Sequence, residues 1–283
     1  MILTRKDYYS SDMILYNIIP QLKNKYLSVM KADPKEKGKK ILIRYYMGYS
    51  IDTLKDSFER NNVLTDESVK IYYDLSTWIN SDGMTPIFSF NKIKRAEERT
   101  LFSGNPRKND GTYINLMKTY DFAIDIDSKN LKTAWKDASK IKEIFDKYQL
   151  PYQLKFSGSK GFHFCINAKY ITTKTKPINR PTMFGKIVEN IANDERLKNI
   201  DMSIYDARRI LKLAYSLCNN DGIEYVALPL SDEQFRVWEY SDMRMLIVMK
   251  NVKLFKRGLL ERNHGLSDTQ LKANVNRFIK DYK

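Results

Sequence analysis

The chain has 283 residues, 42% of them apolar, with 19 tyrosines and 13 phenylalanines; it is globular rather than disordered, with length for one large domain or two intimate lobes. Its 49 Lys and Arg against 34 Asp and Glu leave a formal charge of +15, a field that suits nucleic acid first and an acidic membrane surface second, or reflects only a lysine-rich, low-GC genome. Two cysteines, Cys165 and Cys218, and two histidines, His163 and His264, exclude a disulfide framework and argue against structural zinc, while MILTRKDYYSSD lacks a secretory apolar core and MLIVM (245–249) is too short to span a bilayer, so a cytoplasmic chain with no membrane partner is expected.

Met13, Ile14, Tyr16, Ile18, Leu22 and Tyr26 predict a helical stretch over 8–30, interrupted at Pro20. KADPKEKGKK (31–40) reads as a solvated loop, ILIRYYMGYS (41–50) as a strand, and the residues through 51–80 as helices. SGNPRKNDGT (103–112), dense in turn formers, is the clearest break.

From residue 120 the pattern sharpens. Phe122, Ile124 and Ile126 alternate with Ala123, Asp125 and Asp127, as in a half-buried strand. Ser128 is placed to cap a helix whose Leu131, Trp135, Ala138, Ile141 and Phe145 form one stripe, ending before Pro151. YQLKF (152–156) and FHFCIN (162–167) predict two strands joined by SGSKG, completing β-α-β-β. RILKLAYSL (209–217) and IEYVALPL (223–230) predict a hairpin around CNNDG. Ser231 opens a short helix, and Ser267/Gln270 is a capping box for a last helix with Leu271, Val275, Phe278 and Tyr282 on one face.

Three constellations carry chemistry. Asp125 and Asp127, at i and i+2 of a strand, share a face with Cα atoms roughly 6.5–7 Å apart. Both carboxylates can therefore reach one pair of divalent ions, which in two-metal sites lie roughly 3.5–4 Å apart. The plain alternative is a strand end with two solvated acids. In FSGSKGFHF, Ser157 offers a hydroxyl, Gly158 and Gly161 close backbone approach, Lys160 a charge and His163 a phosphate donor or proton carrier; the alternative is an ordinary turn. IDMSIYDARRILKL adds a third carboxylate, Asp201, for which Asp206 competes, and then Arg209 and Lys212 as phosphate clamps or solvated charges. Taken together, acids, a Gly-Lys-His turn and a further acid followed by two cations suit metal-assisted phosphoryl transfer from a triphosphate.

In order, AIDID, SGSKGFHF and DMSIYDARRILKL resemble the three motifs of the archaeo-eukaryotic primase superfamily. The third is similar to the form in stand-alone primase-polymerases of plasmids, phages and CRISPR loci: Asp201, Tyr205 at +4, Arg209 at +8 and Lys212 at +11. This resemblance, over about residues 115–240, selects Asp201 over Asp206. It implies two Mg²⁺ or Mn²⁺ ions on Asp125, Asp127 and Asp201, no zinc, and a triphosphate held by Ser157, Gly158, Lys160, His163, Arg209 and Lys212. The implied fold is a mixed α/β primase core. Its N-terminal α/β lobe (1–110) would pack on an RRM-like β-α-β-β unit (111–240), with the active site in the cleft and a helical segment at 241–283.

The implied activity is DNA-directed nucleotidyl transfer that both starts and extends primers. Its partners would be a single-stranded DNA template, a primer strand and dNTP or NTP, with further domains or partner proteins outside this chain. Lys250, Lys253, Lys256 and Arg257 are candidates for the template backbone or a solvated helix face. Cys218 stands where replicative small subunits carry histidine. The alternatives are a gap-filling or end-joining polymerase without priming, an RRM-like nucleic-acid-binding module and a metal-dependent nuclease.

Overall fold

A computed structural model describes residues 3–22, 25, 27–32, 40–45, 50–78, 117–207, 209–237, 239–255 and 261–283. In chain order come helices α1 (Arg5–Ser10) and α2 (Asp12–Ile18), strands β1 (Leu27–Ala32) and β2 (Lys40–Tyr45), and helix α3 (Ile51–Arg60). Strands β3 (Lys70–Asp74), β4 (Ser76–Trp78), β5 (Met117–Tyr120) and β6 (Phe122–Asp127) follow, then helix α4 (Leu131–Lys147), strands β7 (Gln153–Phe156) and β8 (Gly161–Ile166), and helix α5 (Arg180–Asp194). The remainder is β9 (Ile210–Lys212), β10 (Leu217–Asn220), β11 (Ile223–Val226), and helices α6 (Asp232–Arg236), α7 (Met245–Phe255) and α8 (Asp268–Tyr282). Among the described residues no helix is long and apolar enough to cross a membrane.

The chain divides into two units, neither of them a contiguous segment. The first comprises Met1–Asp74, Lys155–Ser159 and Ile210–Leu259. Its sheet runs β2-β1-β3-β9, with every neighbouring pair antiparallel. Tyr8, Tyr9, Ile14, Leu15, Leu54 and Phe58 are buried, with Tyr9 edge-on to both Tyr8 and Phe58 at 5.1 Å. Arg5 is buried beside them, donating to the carbonyls of Val63 and Val69 and, at 2.6 Å, to Glu224.

The second unit comprises Leu75–Leu154, Lys160–Arg209 and Leu260–Lys283. Its principal sheet has the order β6-β8-β7, and β4 pairs with β5. With α4 between β6 and β7, this is the β-α-β-β unit expected from the sequence. α5 then leads to Ile200, which bridges Ile126 of β6 in antiparallel fashion and so stands where a fourth strand would be. Phe122, Phe145, Phe164, Phe184 and Phe278, from β6, α4, β8, α5 and α8, are all buried, and Phe122 meets Phe184 and Phe278 edge-on at 5.0 and 5.7 Å.

Several local expectations are corrected. The stretch 8–30 is two short helices and a 3₁₀ turn (Ile19–Leu22) at Pro20, after which β1 begins at Leu27. Helix over 51–80 holds only for α3; β3 and β4 follow, with Ile71 and Tyr73 buried on one side of β3 as its pairing with β1 and β9 demands. The last two residues of that stretch, and SGNPRKNDGT, lie outside the described residues. The expected 209–217/223–230 hairpin is shorter: Leu217–Asn220 pairs with Ile223–Val226 around Asp221 and Gly222, whose φ values of 53° and 79° suit a two-residue primed turn, while Ile210–Lys212 pairs with β3. Helix α4 is capped by Asn130, whose side chain accepts from Lys132 N–H at 2.9 Å; Ser128 instead accepts from Asn130 N–H. Both expected capping boxes, Ser231/Gln234 and Ser267/Gln270, are present.

Candidate active site

The register of β6 against β8 sets the site. Asp125 lies opposite His163, Asp127 opposite Gly161 and Ala123 opposite Cys165, so these share one face of the ribbon. The other face pairs Phe122 with Ile166, Ile124 with Phe164 and Ile126 with Phe162, all buried. Gly161 is required by close approach: a Cβ there would sit 1.6 Å from the carbonyl oxygen of Ile126. Lys160, one residue earlier, is tied to the end of β6 because its carbonyl accepts the Ser128 N–H at 3.1 Å.

A short segment brings the third carboxylate alongside. Asp127 N–H donates to the Asn199 carbonyl at 2.8 Å, and Asp201 N–H donates to the Asp125 carbonyl at 2.9 Å. Residues 199–201 thus pair with the two carboxylate-bearing positions of β6. Two further contacts fix the segment. Asp137 of α4, buried, accepts on Oδ2 from Asn199 Nδ2 at 2.7 Å and from the backbone N–H groups of Asn199 and Lys198 at 3.1 and 3.2 Å. The Tyr205 hydroxyl donates to the Ala123 carbonyl at 3.0 Å, and burial, then Tyr120, Asp125 and Asp201, hold its pKa well above the usual phenol value, so it remains a neutral donor. Nothing in the sequence singles out Asp137. Its position on the polar edge of a helix stripe carries no signal, because its partners are about sixty residues away.

The charges are coupled. His163 Nε2 lies 3.2 Å from Asp125 Oδ1. Asp201 Oδ1 accepts the Ser203 N–H at 2.8 Å, and its Oδ2 is 3.8 Å from an Arg209 nitrogen; Arg209 also donates to Ser203 Oγ at 2.7 Å. Desolvation and Asp125 raise the Asp127 carboxyl pKa, with Asp201 adding to the rise and Lys160 and His163 opposing it. Asp125, Asp127, Asp201, Lys160, His163 and Arg209 therefore form one electrostatic cluster. Asp206, the competing acid, has its Oδ2 4.0 Å from Arg209, and its carbonyl accepts from the Tyr120 hydroxyl.

The other expected triphosphate residues belong to the first unit. Ser157 is buried, and Gly158 has φ of +87°, with a Cβ there placed 3.1 Å from the Ala227 nitrogen. Lys212 Nζ donates to Cys218 Sγ at 2.6 Å, its carbonyl accepts from Lys155 Nζ, and Cys218 is a buried free thiol. Lys250 is exposed; Lys256, Arg257 and the Lys253 side chain lie outside the described residues.

Among the described residues no three His, Cys, Asp or Glu side chains stand close enough to enclose an ion in their present rotamers. The donor set nonetheless fits a hard divalent cation. Three oxygen-donor side chains sit on two hydrogen-bonded backbone segments, and their mutual repulsion, felt at Asp127, is what such an ion relieves. Asp201 would have to release its cap on Ser203 and its contact with Arg209 to take part.

No family model matches the chain. It is 30% identical over 156 residues to an uncharacterized protein of Methanocaldococcus jannaschii, a match covering 48% of this chain and 35% of that protein, so it spans about a third of that relative. Among solved structures, the polymerase domain from Mycobacterium tuberculosis Ligase D in complex with DNA is similar with a TM-score of 0.50 at 11% identity, covering 89% of this chain and 91% of that one. The catalytic domain of primase RepB′ with initiator DNA superposes less well, at a TM-score of 0.42 and 11% identity over 87% of this chain and 98% of that one. The chain has the mixed α/β fold of the Ligase D polymerase domain.

Proposed function

We propose that this chain is a DNA primase-polymerase that joins nucleotides on a single-stranded DNA template, starting primers and extending them. The observation that carries this reading is the pairing of residues 199–201 with β6, which sets Asp201 beside Asp125 and Asp127 with Lys160, His163 and Arg209 around them. The likeness of the fold to a DNA-bound polymerase domain supports it. In the reaction a 3′-hydroxyl attacks the α-phosphorus of a nucleoside triphosphate, the bond to the β-phosphate breaks, pyrophosphate leaves and the hydroxyl proton passes to solvent.

Each residue has a distinct part. Two Mg²⁺ or Mn²⁺ ions, bound by Asp125, Asp127 and Asp201, would supply Lewis-acid charge at the phosphoryl centre and lower the pKa of the attacking hydroxyl. His163 orients Asp125 across the ribbon and faces the phosphates from a buried position. Arg209 exchanges its contact with Asp201 for phosphate oxygens, and Lys160 adds charge from a turn fixed at the end of β6. The remaining residues proposed for the triphosphate are Ser157, Gly158 and Lys212. Lys212 would exchange its contact with the Cys218 thiol for phosphate oxygens.

The likeness to the polymerase domain of a ligase favours a second reading, extension of an existing primer without initiation. Incubation with single-stranded template, Mn²⁺ and labelled nucleotides separates the two. Labelled oligomers without primer are expected; extension only when primer is added selects the second reading, and no incorporation in either arm defeats both.

A further inference from the structure

Between Asn167 and Val188 the chain carries Lys169, Lys174, Lys176, Arg180 and Lys186 and no acidic residue. Two of these cations are paired with carboxylates, Lys169 with Glu261 at 2.7 Å and Lys186 with Glu189 at 2.9 Å. Lys174 and Lys176 are exposed and form no ion pair among the described residues. Arg180 is half-buried, its one described hydrogen bond running from Nε to the Thr175 carbonyl at 3.4 Å. Burial draws the pKa of this guanidinium down, and no acidic neighbour opposes the fall.

Sheet geometry places this stretch. Ala168 N–H donates to Asp121 Oδ1 at 2.9 Å, fixing the start of the stretch at the end of β6 that precedes Phe122. Asp127 is at the other end. Five steps of strand, at about 3.3 Å each, separate the two ends by roughly 17 Å. The 15-residue helix α5 then returns the chain toward Asn199 and Asp201 over roughly 22 Å. The stretch with hydroxyls and unpaired cations, Thr172 to Arg180, thus belongs to the same unit as the carboxylates and starts from the opposite end of their strand. Lys, Arg and Thr side chains of this kind contact nucleic-acid phosphates irrespective of sequence.

We infer that Lys174, Lys176 and Arg180 bind the phosphate backbone of the primer–template duplex, an inference that rests on the polymerase reading. The length of β6 alone, roughly 17 Å, corresponds to about five base pairs at about 3.4 Å each, so the ligand must be longer than a single nucleotide to touch both this stretch and the carboxylates.

The test is DNA binding by the full chain, read as fluorescence anisotropy of a labelled primer–template across a salt series. Because each phosphate contact contributes about 0.9 to the slope of log K against log salt, Lys174→Gln with Lys176→Gln should flatten the slope by about 2 and weaken binding at least tenfold at low salt. Adding Arg180→Gln should flatten it by about one more, while Arg180→Lys restores the slope. Both lysines are exposed, so the double variant should melt at the wild-type temperature. An unchanged slope and affinity in the folded double variant overturns the inference. A flattened slope in the double variant, together with a wild-type protein that incorporates no nucleotide, would keep this surface and defeat the polymerase reading instead.

Discussion

On the β6–β8 ribbon, the face bearing Phe122, Ile124, Ile126, Phe162, Phe164 and Ile166 is dry, whereas the face one residue out of phase carries Asp125, Asp127, His163 and Cys165. The first face packs against aromatic rings of α4, α5 and α8; the second gathers charges that repel one another. One register produces both, since side chains alternate with a period of two and a slip of one residue would exchange the faces. Stability and chemistry are therefore drawn from opposite sides of the same twelve residues, and substitutions should separate them.

The largest effect is expected where the faces share a constraint. Gly161→Ala drives a methyl group into the Ile126 carbonyl, so the end of the ribbon must open and Asp127 lose its place. Both thermal stability and nucleotide incorporation should be lost, by differential scanning fluorimetry and by primer extension; a variant that melts at the wild-type temperature would contradict the close approach. On the dry face, Phe164→Ala should cost about 3–5 kcal/mol in denaturant unfolding, the range for an aromatic truncated in a packed core.

Asp137 lies behind the charged face. Asp137→Ala leaves the Lys198 and Asn199 backbone donors and the Asn199 amide without their acceptor, a loss of about 1–3 kcal/mol. If the segment 199–201 positions Asp201, this variant should also bind Mn²⁺ more weakly, whereas Phe164→Ala at a temperature where it is folded should not.

The smallest effect has the opposite sign. Desolvation and then the neighbouring carboxylates raise the Asp127 pKa in the folded chain, so its ionised form disfavours folding. Its stabilising contribution is present below the ordinary carboxylate pKa and is lost as pH rises through the raised one. In metal-free buffer Asp127→Asn should melt slightly higher than wild type near neutral pH, and the gain should vanish in acid. A lower melting temperature at neutral pH would contradict a net penalty on the ionised Asp127.

What was legible in the sequence follows the range of the interactions. Alternation in Phe122–Asp127, the α4 stripe and the Ser267/Gln270 box are set by residues within a few positions of one another, and each is found in the structure. Ile210–Lys212 reads as part of the hairpin that follows it, yet its partner is β3, some 140 residues earlier, and no local pattern encodes such a pairing. β1 was hidden for the same reason: between β2 and β3 its partners, not its own sequence, decide against helix. At the site, the strand positions of Asp125, Asp127 and His163 could be read from period two. The approach of Asp201 depends on the Ile126–Ile200 bridge, on Asp137 and on the Tyr205 hydroxyl, and of these only Tyr205 stands in a motif visible in the sequence.

Convergence of Asp125, Asp127 and Asp201 on divalent ions is tested most directly by Mn²⁺ titration followed by electron paramagnetic resonance. Wild-type protein should remove the free Mn²⁺ signal, and Asp201→Ala, about 75 residues away in sequence from the other two, should weaken binding at least tenfold, as Asp125→Ala does. Wild-type affinity in folded Asp201→Ala would mean that the third carboxylate has no part in the site.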